Sequence, residues 1–209
     1  QPVDEPFAFP QRMPDALATL PVLKSIPGVR TTEDGYGGMS NWAPVYPWLD
    51  VLTQYGGPHT DGGQYEALGW QDFLRQVHQD GKEVWIYNPD ITGWHVEPMR
   101  FYFGFGLWHS GATGVLQWAY QNPSREGKYL QPSTFMYPPQ PGHTGGPSLA
   151  YMAVSEGVGD LRYLLTLKAL VDEAMVGPDL QKQMLARQAW AEVEQRLAVI
   201  SHECRIRDV

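Results

Sequence analysis

Short runs rich in β-branched and aromatic residues alternate along this chain with helical segments and with long loops rich in glycine and proline. The strand-like runs fall at residues 29–32, 48–53, 83–87 and 114–120, and their ends lie 21, 34 and 33 residues apart. A strand, a crossover and a further strand normally give parallel neighbours, so the alternation predicts an α/β fold with a parallel sheet. A (β/α)8 (TIM) barrel of roughly 250 residues uses about 31 residues per unit. The four strands therefore correspond to about half of such a barrel.

Helical periodicity accounts for much of the remaining chain. The clearest case is one apolar stripe at spacing i, i+3, i+4 and i+7, formed by Trp70, Phe73, Leu74 and Val77. Helices are predicted at 14–26, 64–79, 99–109, 148–174 and 179–200. Gly177 and Pro178 separate the last two predicted helices. We therefore expect a barrel segment at 1–176 and a C-terminal helix at 177–209 that packs on it. The long loops follow strands, on the side where barrel enzymes place their active sites.

Composition excludes several classes of function. Lys and Arg number 15 against 23 Asp and Glu, giving a net charge of −8 with no basic run, so a nucleic-acid partner is not expected. No window approaches the roughly 20 apolar residues of a membrane span. Cys204 is the single cysteine, which excludes a cysteine metal cluster. His59 with Asp61 is more typical of a solvated loop than of a metal site. We expect neither a metal nor a cofactor.

Two adjacent carboxylates near the start of the chain, Asp4 and Glu5, stand between Pro2 and Pro6. If a strand ends at Val3, both side chains lie at its carboxyl end. Glycoside hydrolysis needs a carboxylic acid that protonates the leaving oxygen and a second group that stabilises the oxocarbenium-like transition state. A side-by-side pair can do this when one pKa is raised. The alternative is a solvated terminal acidic pair.

Aromatic residues at strand ends and in loops are the second candidate group. Trp and Tyr stack on the apolar C–H faces of sugars and leave a polar tip for hydrogen bonds. The substrate-binding candidates are Trp42, Tyr55, Tyr87, Asn88, Trp94, Trp118 and Tyr120. For the aromatic members the alternative is core packing.

Several segments, taken in order, resemble the catalytic (β/α)8 domain of glycoside hydrolase family 123, typified by β-N-acetylgalactosaminidases. Asp4-Glu5-Pro6 resembles the signature that ends the fourth barrel strand of that family. Residues 84–87 are similar to its seventh strand, 114–119 to its eighth, and 156–164 to a Glu-Gly-x-x-Asp-x-x-Tyr-Leu run in its eighth helix. Ala150, Met152 and Ser155 depart from the Arg and Glu residues that this helix usually carries.

The resemblance implies that the chain begins at the end of strand four and supplies strands five to eight, without the first half of the barrel. It implies an exo-acting hydrolase of β-linked N-acetylhexosamine that works by substrate-assisted retention. Glu5 would then be the general acid/base, and Asp4 would orient the 2-acetamido group that attacks the anomeric carbon. Such an enzyme would be secreted, periplasmic or on the cell surface, and this chain alone would be inactive.

Two other functions stay open. One is a carbohydrate-binding relative without turnover. The other is a hydrolase of non-acetamido glycosides, in which Asp90 or Glu33 serves as the second carboxylate.

Overall fold

A computed structural model describes residues 6–55, 69–87, 96–117, 135–137, 142 and 144–203 of the chain. The chain divides into two compact units. The first comprises Gln1–Ile91, Ser110–Tyr120 and Asp208–Val209, and the second comprises Thr92–His109 and Gln121–Arg207. Among the described residues, no helix is both long enough and apolar enough to cross a membrane.

The first unit contains a four-stranded sheet, β1 (Thr32–Gly35), β2 (Val51–Tyr55), β3 (Glu83–Tyr87) and β4 (Gly114–Leu116). Neighbouring strands are parallel throughout and follow one another in chain order, β1-β2-β3-β4. Its helices are α1 (Met13–Lys24), α2 (Met39–Trp42) and α3 (Trp70–Gln79). The predicted α/β class with a parallel sheet is thus confirmed.

The two faces of the sheet differ in chemistry because side chains alternate along each strand and paired residues share a face. One face, called here the apolar face, carries Leu52, Val84 and Ile86, which belong to one buried cluster with the helices α1, α2 and α3. The opposite face, the polar face, carries Thr32, Asp34, Thr53, Tyr55, Glu83, Trp85 and Tyr87. Helices therefore cover one side of the sheet, as they do on the outside of a (β/α)8 barrel.

The first strand lies later in the sequence than predicted. The expected run at 29–32 overlaps β1 only at Thr32, and the strand continues through Glu33 and Asp34 to Gly35. Glu, Asp and Gly are poor strand formers, so local propensity indicated a loop. Pairing with β2 holds these residues in the sheet instead.

The second unit is mainly helical. It contains α4 (Val96–Phe103), α5 (Phe105–Ser110, whose last residue belongs to the first unit), α6 (Leu149–Val176) and α7 (Leu180–Glu203). Two short antiparallel strands, β5 (Met136–Tyr137) and β6 (Gly146–Pro147), lie between the strand predicted at 114–120 and the helix predicted at 148–174, where the sequence indicates a long loop. The helix predicted over 99–109 is divided at Gly104. A side chain there would come within 2.8 Å of the Gly157 carbonyl oxygen.

The segment 156–164 packs α6 against α4. A Cβ at Gly157 would lie 2.3 Å from the Arg100 carbonyl oxygen, so the two backbones can meet only because residue 157 is glycine. Arg100 donates two hydrogen bonds to Asp160, of 2.7 and 2.8 Å. Leu164 is buried. These three residues of the motif therefore fix helix packing within the second unit.

Candidate functional site

A pocket of about 240 Å³ opens at the carboxyl ends of β1 and β2. It is lined by Phe7, Ala8, Asp34, Gly35, Tyr36 and Tyr55. Carboxyl ends of parallel strands are where open α/β sheets and barrels place their ligands. The described lining of this pocket combines the Asp34 carboxyl group with three aromatic rings.

Phe7 is held in this pocket by several contacts. Its ring lies 4.9 Å from the ring of Trp42 and 6.5 Å from that of Tyr36, centroid to centroid. The Tyr36 hydroxyl donates a 3.1 Å hydrogen bond to the Phe7 carbonyl oxygen. A Cβ at Gly35 would come within 2.7 Å of the Phe7 ring and 2.9 Å of Trp42, so glycine is needed for this approach. The segment that follows Pro6 is thus fixed against the end of β1.

Glu33 and Asp34 are consecutive, so their side chains point to opposite faces of the sheet. Asp34 lies on the polar face and lines the pocket. Glu33 lies on the apolar face, paired in register with Leu52, and is fully buried. By hydrogen-bond geometry, neither Glu33 oxygen has a partner among the described residues.

Burial raises the pKa of Glu33 to about 8, and the negative charge of the neighbouring Asp34 raises it further in the same direction. At pH 7 the Glu33 carboxyl is therefore mainly protonated. A protonated carboxyl without exposure to the pocket cannot serve as a nucleophile. Glu33, expected as a second catalytic carboxylate in the alternative mechanism, thus lies in the core, and its neighbour Asp34 is the acid that lines the pocket.

Tyr55 and Tyr87 lie side by side at the ends of β2 and β3. Tyr87 ends the strand predicted at 83–87, whereas Tyr55 was expected in the loop after the strand predicted at 48–53 and instead belongs to β2. They are partners in the sheet register, and their ring centroids are 5.6 Å apart with an interplanar angle of 72°. Tyr55 also lines the pocket, so the pair continues its aromatic lining toward β3.

Trp42 has a different position from the one expected. It ends the short helix α2, is fully buried, and donates a 3.0 Å hydrogen bond from its indole nitrogen to Gln54 Oε1. A fully buried ring offers no face to a sugar, so the structure places Trp42 in the core that supports the pocket. A loop rich in glycine and proline had suggested exposure.

The other predicted residues lie outside the described part of the chain: Asp4, Glu5, Asn88, Asp90, Trp94, Trp118 and Tyr120. Their assigned roles stay predictions. In contrast, sequence reasoning did not select Phe7, Asp34 or Tyr36. Asp34 stands in an Asp-Gly-Tyr-Gly-Gly run, whose composition indicates a loop rather than the end of a strand.

The amino end of the sheet has a structural role. Glu83 accepts hydrogen bonds from Arg30 at 2.7 Å, Trp85 at 3.0 Å and Thr113 at 3.1 Å. The Trp85 bond, followed by Arg30, holds the pKa of Glu83 below its ordinary value against the effect of burial. The carboxylate thus joins β3 to the segments preceding β1 and β4. This fits the general role of the amino end of such sheets in stability.

The described residues contain no group of three or more His, Cys, Asp or Glu side chains that could hold a metal ion.

Comparison with known proteins finds no matching family model, no similar curated protein and no similar solved structure. The resemblance to glycoside hydrolase family 123 therefore stays a prediction based on the sequence motifs.

Proposed function

We propose that this chain is the second half of a (β/α)8 glycoside hydrolase that acts on β-linked N-acetylhexosamine. In this proposal the four parallel strands are strands five to eight of the barrel. Glu5 is the general acid/base, and Asp4 orients the substrate's 2-acetamido group for attack on the anomeric carbon.

The observation that carries the proposal is the pocket at the carboxyl ends of β1 and β2. Its lining of aromatic rings and one carboxylate suits a sugar, whose C–H faces stack on rings while its hydroxyls need acceptors. The pocket also includes Phe7, and only Pro6 separates Phe7 from Glu5 in the sequence.

The arrangement of the sheet supports the barrel interpretation. Parallel strands in chain order, with helices covering one face, are what consecutive βα units produce. The polar face would then line the barrel interior, and the apolar face would meet the outer helices.

The test is hydrolysis of aryl 2-acetamido-2-deoxy-β-glycosides by this chain and by the longest polypeptide that its gene encodes. In an active protein we expect Glu5→Gln to reduce turnover by about 10² to 10⁴, the usual contribution of general acid catalysis. Asp4→Asn should also lose much of the activity, because the internal nucleophile loses its orientation. Glu97→Gln is the matched control, since Glu97 is exposed at the start of α4.

Either acidic variant keeping its full activity would refute the catalytic assignment. Sugar binding without hydrolysis in both polypeptides would favour the carbohydrate-binding alternative. Hydrolysis of glycosides without the acetamido group at an equal rate would refute the substrate-assisted mechanism.

A further inference from the structure

The pocket at the ends of β1 and β2 has a definite size. Its volume of about 240 Å³ falls below the roughly 300–1,000 Å³ of sites that hold drug-sized molecules. As bounded by the described residues, it has room for one small ring rather than for two linked rings.

The lining of the pocket has two kinds of surface. Phe7, Tyr36 and Tyr55 supply aromatic rings, and Tyr36 is 46 % exposed, so its ring is accessible. Asp34 supplies the acid group. Aromatic rings suit the apolar face of a pyranose, and carboxylate oxygens accept hydrogen bonds from hydroxyls on neighbouring carbons.

The charge of the pocket limits what can bind. Asp34 is the acid of the pair that lines the pocket, and its negative charge is one of the causes that raise the pKa of the buried Glu33. A ligand bearing its own carboxylate, sulfate or phosphate would meet a like charge beside Asp34, which is unfavourable. An uncharged ring avoids this cost.

From these observations we infer that the pocket is a binding subsite for one uncharged glycosyl unit, with Asp34 as the hydrogen-bond acceptor that selects against anionic sugars. The inference rests on the proposed function for the chemical class of the ligand. It adds the subsite, its charge selectivity and the residue responsible.

The walls of the subsite are held in place before a ligand arrives. The Tyr36 hydroxyl bonds the Phe7 carbonyl oxygen, and the Phe7 ring packs against the buried ring of Trp42. Trp42 is in turn bonded to Gln54 on β2. A fixed lining lowers the conformational cost of binding.

The experiment is titration of the ¹⁵N-labelled chain with methyl β-glucopyranoside, methyl β-galactopyranoside and the anionic methyl β-glucuronide, followed by amide chemical shifts. We expect the two neutral sugars to shift the amides of Phe7, Asp34 and Tyr36, with a Kd on the order of 1 mM for ligands of this size. The amide of Tyr163, an exposed aromatic residue on α6, should not move. The glucuronide should bind at least about tenfold more weakly.

Asp34→Asn keeps the size of the side chain but removes its charge. We expect it to bind the neutral sugars more weakly and the glucuronide more tightly than the wild type does. A gain in glucuronide binding is a result that loss of structure could not produce. Asp72→Asn, at an exposed aspartate of α3, is the matched control and should leave all three affinities unchanged.

The inference is overturned if the shifts map away from the pocket, if no neutral sugar binds, or if the glucuronide binds as well as the neutral sugars. The titration of the wild-type chain decides this even if Asp34→Asn does not fold. Failure of the proposed function would look different: the neutral sugars would bind at the pocket, but the longest polypeptide that the gene encodes would hydrolyse no aryl glycoside.

Discussion

Replacement of the buried Glu33 by glutamine should change how stability depends on pH. Glu33 is fully buried on the apolar face of β1, and its oxygens have no hydrogen-bond partner among the described residues. Its pKa is raised from 4.5 to about 8, chiefly by burial and then by the charge of Asp34. The glutamine side chain has nearly the same shape but does not ionise.

The sign follows from proton linkage. Below pH 4.5 Glu33 is protonated in both the folded and the unfolded chain, so it adds no pH dependence. Between pH 4.5 and 8 the unfolded chain releases this proton while the folded chain keeps it. The free energy of unfolding should therefore fall by about 1.4 kcal/mol for each pH unit and level off above pH 8. Over the whole interval the loss is about 5 kcal/mol, a large part of the stability of a typical domain.

The assay is urea unfolding of the wild type and of Glu33→Gln at pH 5, 6, 7 and 8. Relative to the wild type, the free energy of unfolding of Glu33→Gln should rise by about 3–4 kcal/mol between pH 5 and pH 8. Glu97→Gln, the same change at an exposed position, should follow the wild type. Parallel curves for wild type and Glu33→Gln would refute the assignment of Glu33 as a buried, protonated acid.

Three further outcomes are expected. Gly157→Ala should destabilise the chain by about 1–3 kcal/mol, because the new Cβ would meet the Arg100 carbonyl oxygen at 2.3 Å. Gly159→Ala, in the same helix, places its Cβ in open space and should stabilise the chain by about 0.5–1 kcal/mol. Equal urea midpoints for the two variants would contradict this packing. Trp42→Phe should cost about 1–3 kcal/mol in a thermal or urea melt, since Gln54 Oε1 loses a buried donor; an unchanged melt would show that the bond contributes little. The chain alone should associate through the outer edges of β1 and β4, which pair with no further strand among the described residues, so sedimentation should show a mass that rises with concentration. A single species of 23.5 kDa at all concentrations would contradict this association.

The helices and strands with strong local patterns were predictable. The apolar stripe from Trp70 to Val77 lies on α3, and all four of its residues are buried. The strand predicted at 83–87 coincides with β3. In both cases the period of the apolar residues matches the element, so one sequence window contains the necessary information.

The site was only partly predictable. Tyr87 ends a clear strand pattern and was predicted at a strand end. Tyr55 was expected in a loop, because the strand pattern before it ends at residue 53, and its place beside Tyr87 depends on the pairing of β2 with β3. Asp34 could not be selected because its segment has low strand propensity, and membership of β1 depends on pairing with β2.

The sequence by itself determined the alternation of strands and helices, and with it the parallel sheet and the edge where a ligand site would lie. Tertiary structure alone decided which face each acid of the Glu33–Asp34 pair occupies and whether Trp42 is buried or exposed. A shift of one residue along a strand exchanges its two faces, so the register with β2 puts Asp34 in the pocket and Glu33 in the core. Trp42 is buried because Gln54, Phe7 and the bare backbone of Gly35 surround it. Two of those partners are distant in sequence, and their contact is therefore invisible to any local pattern.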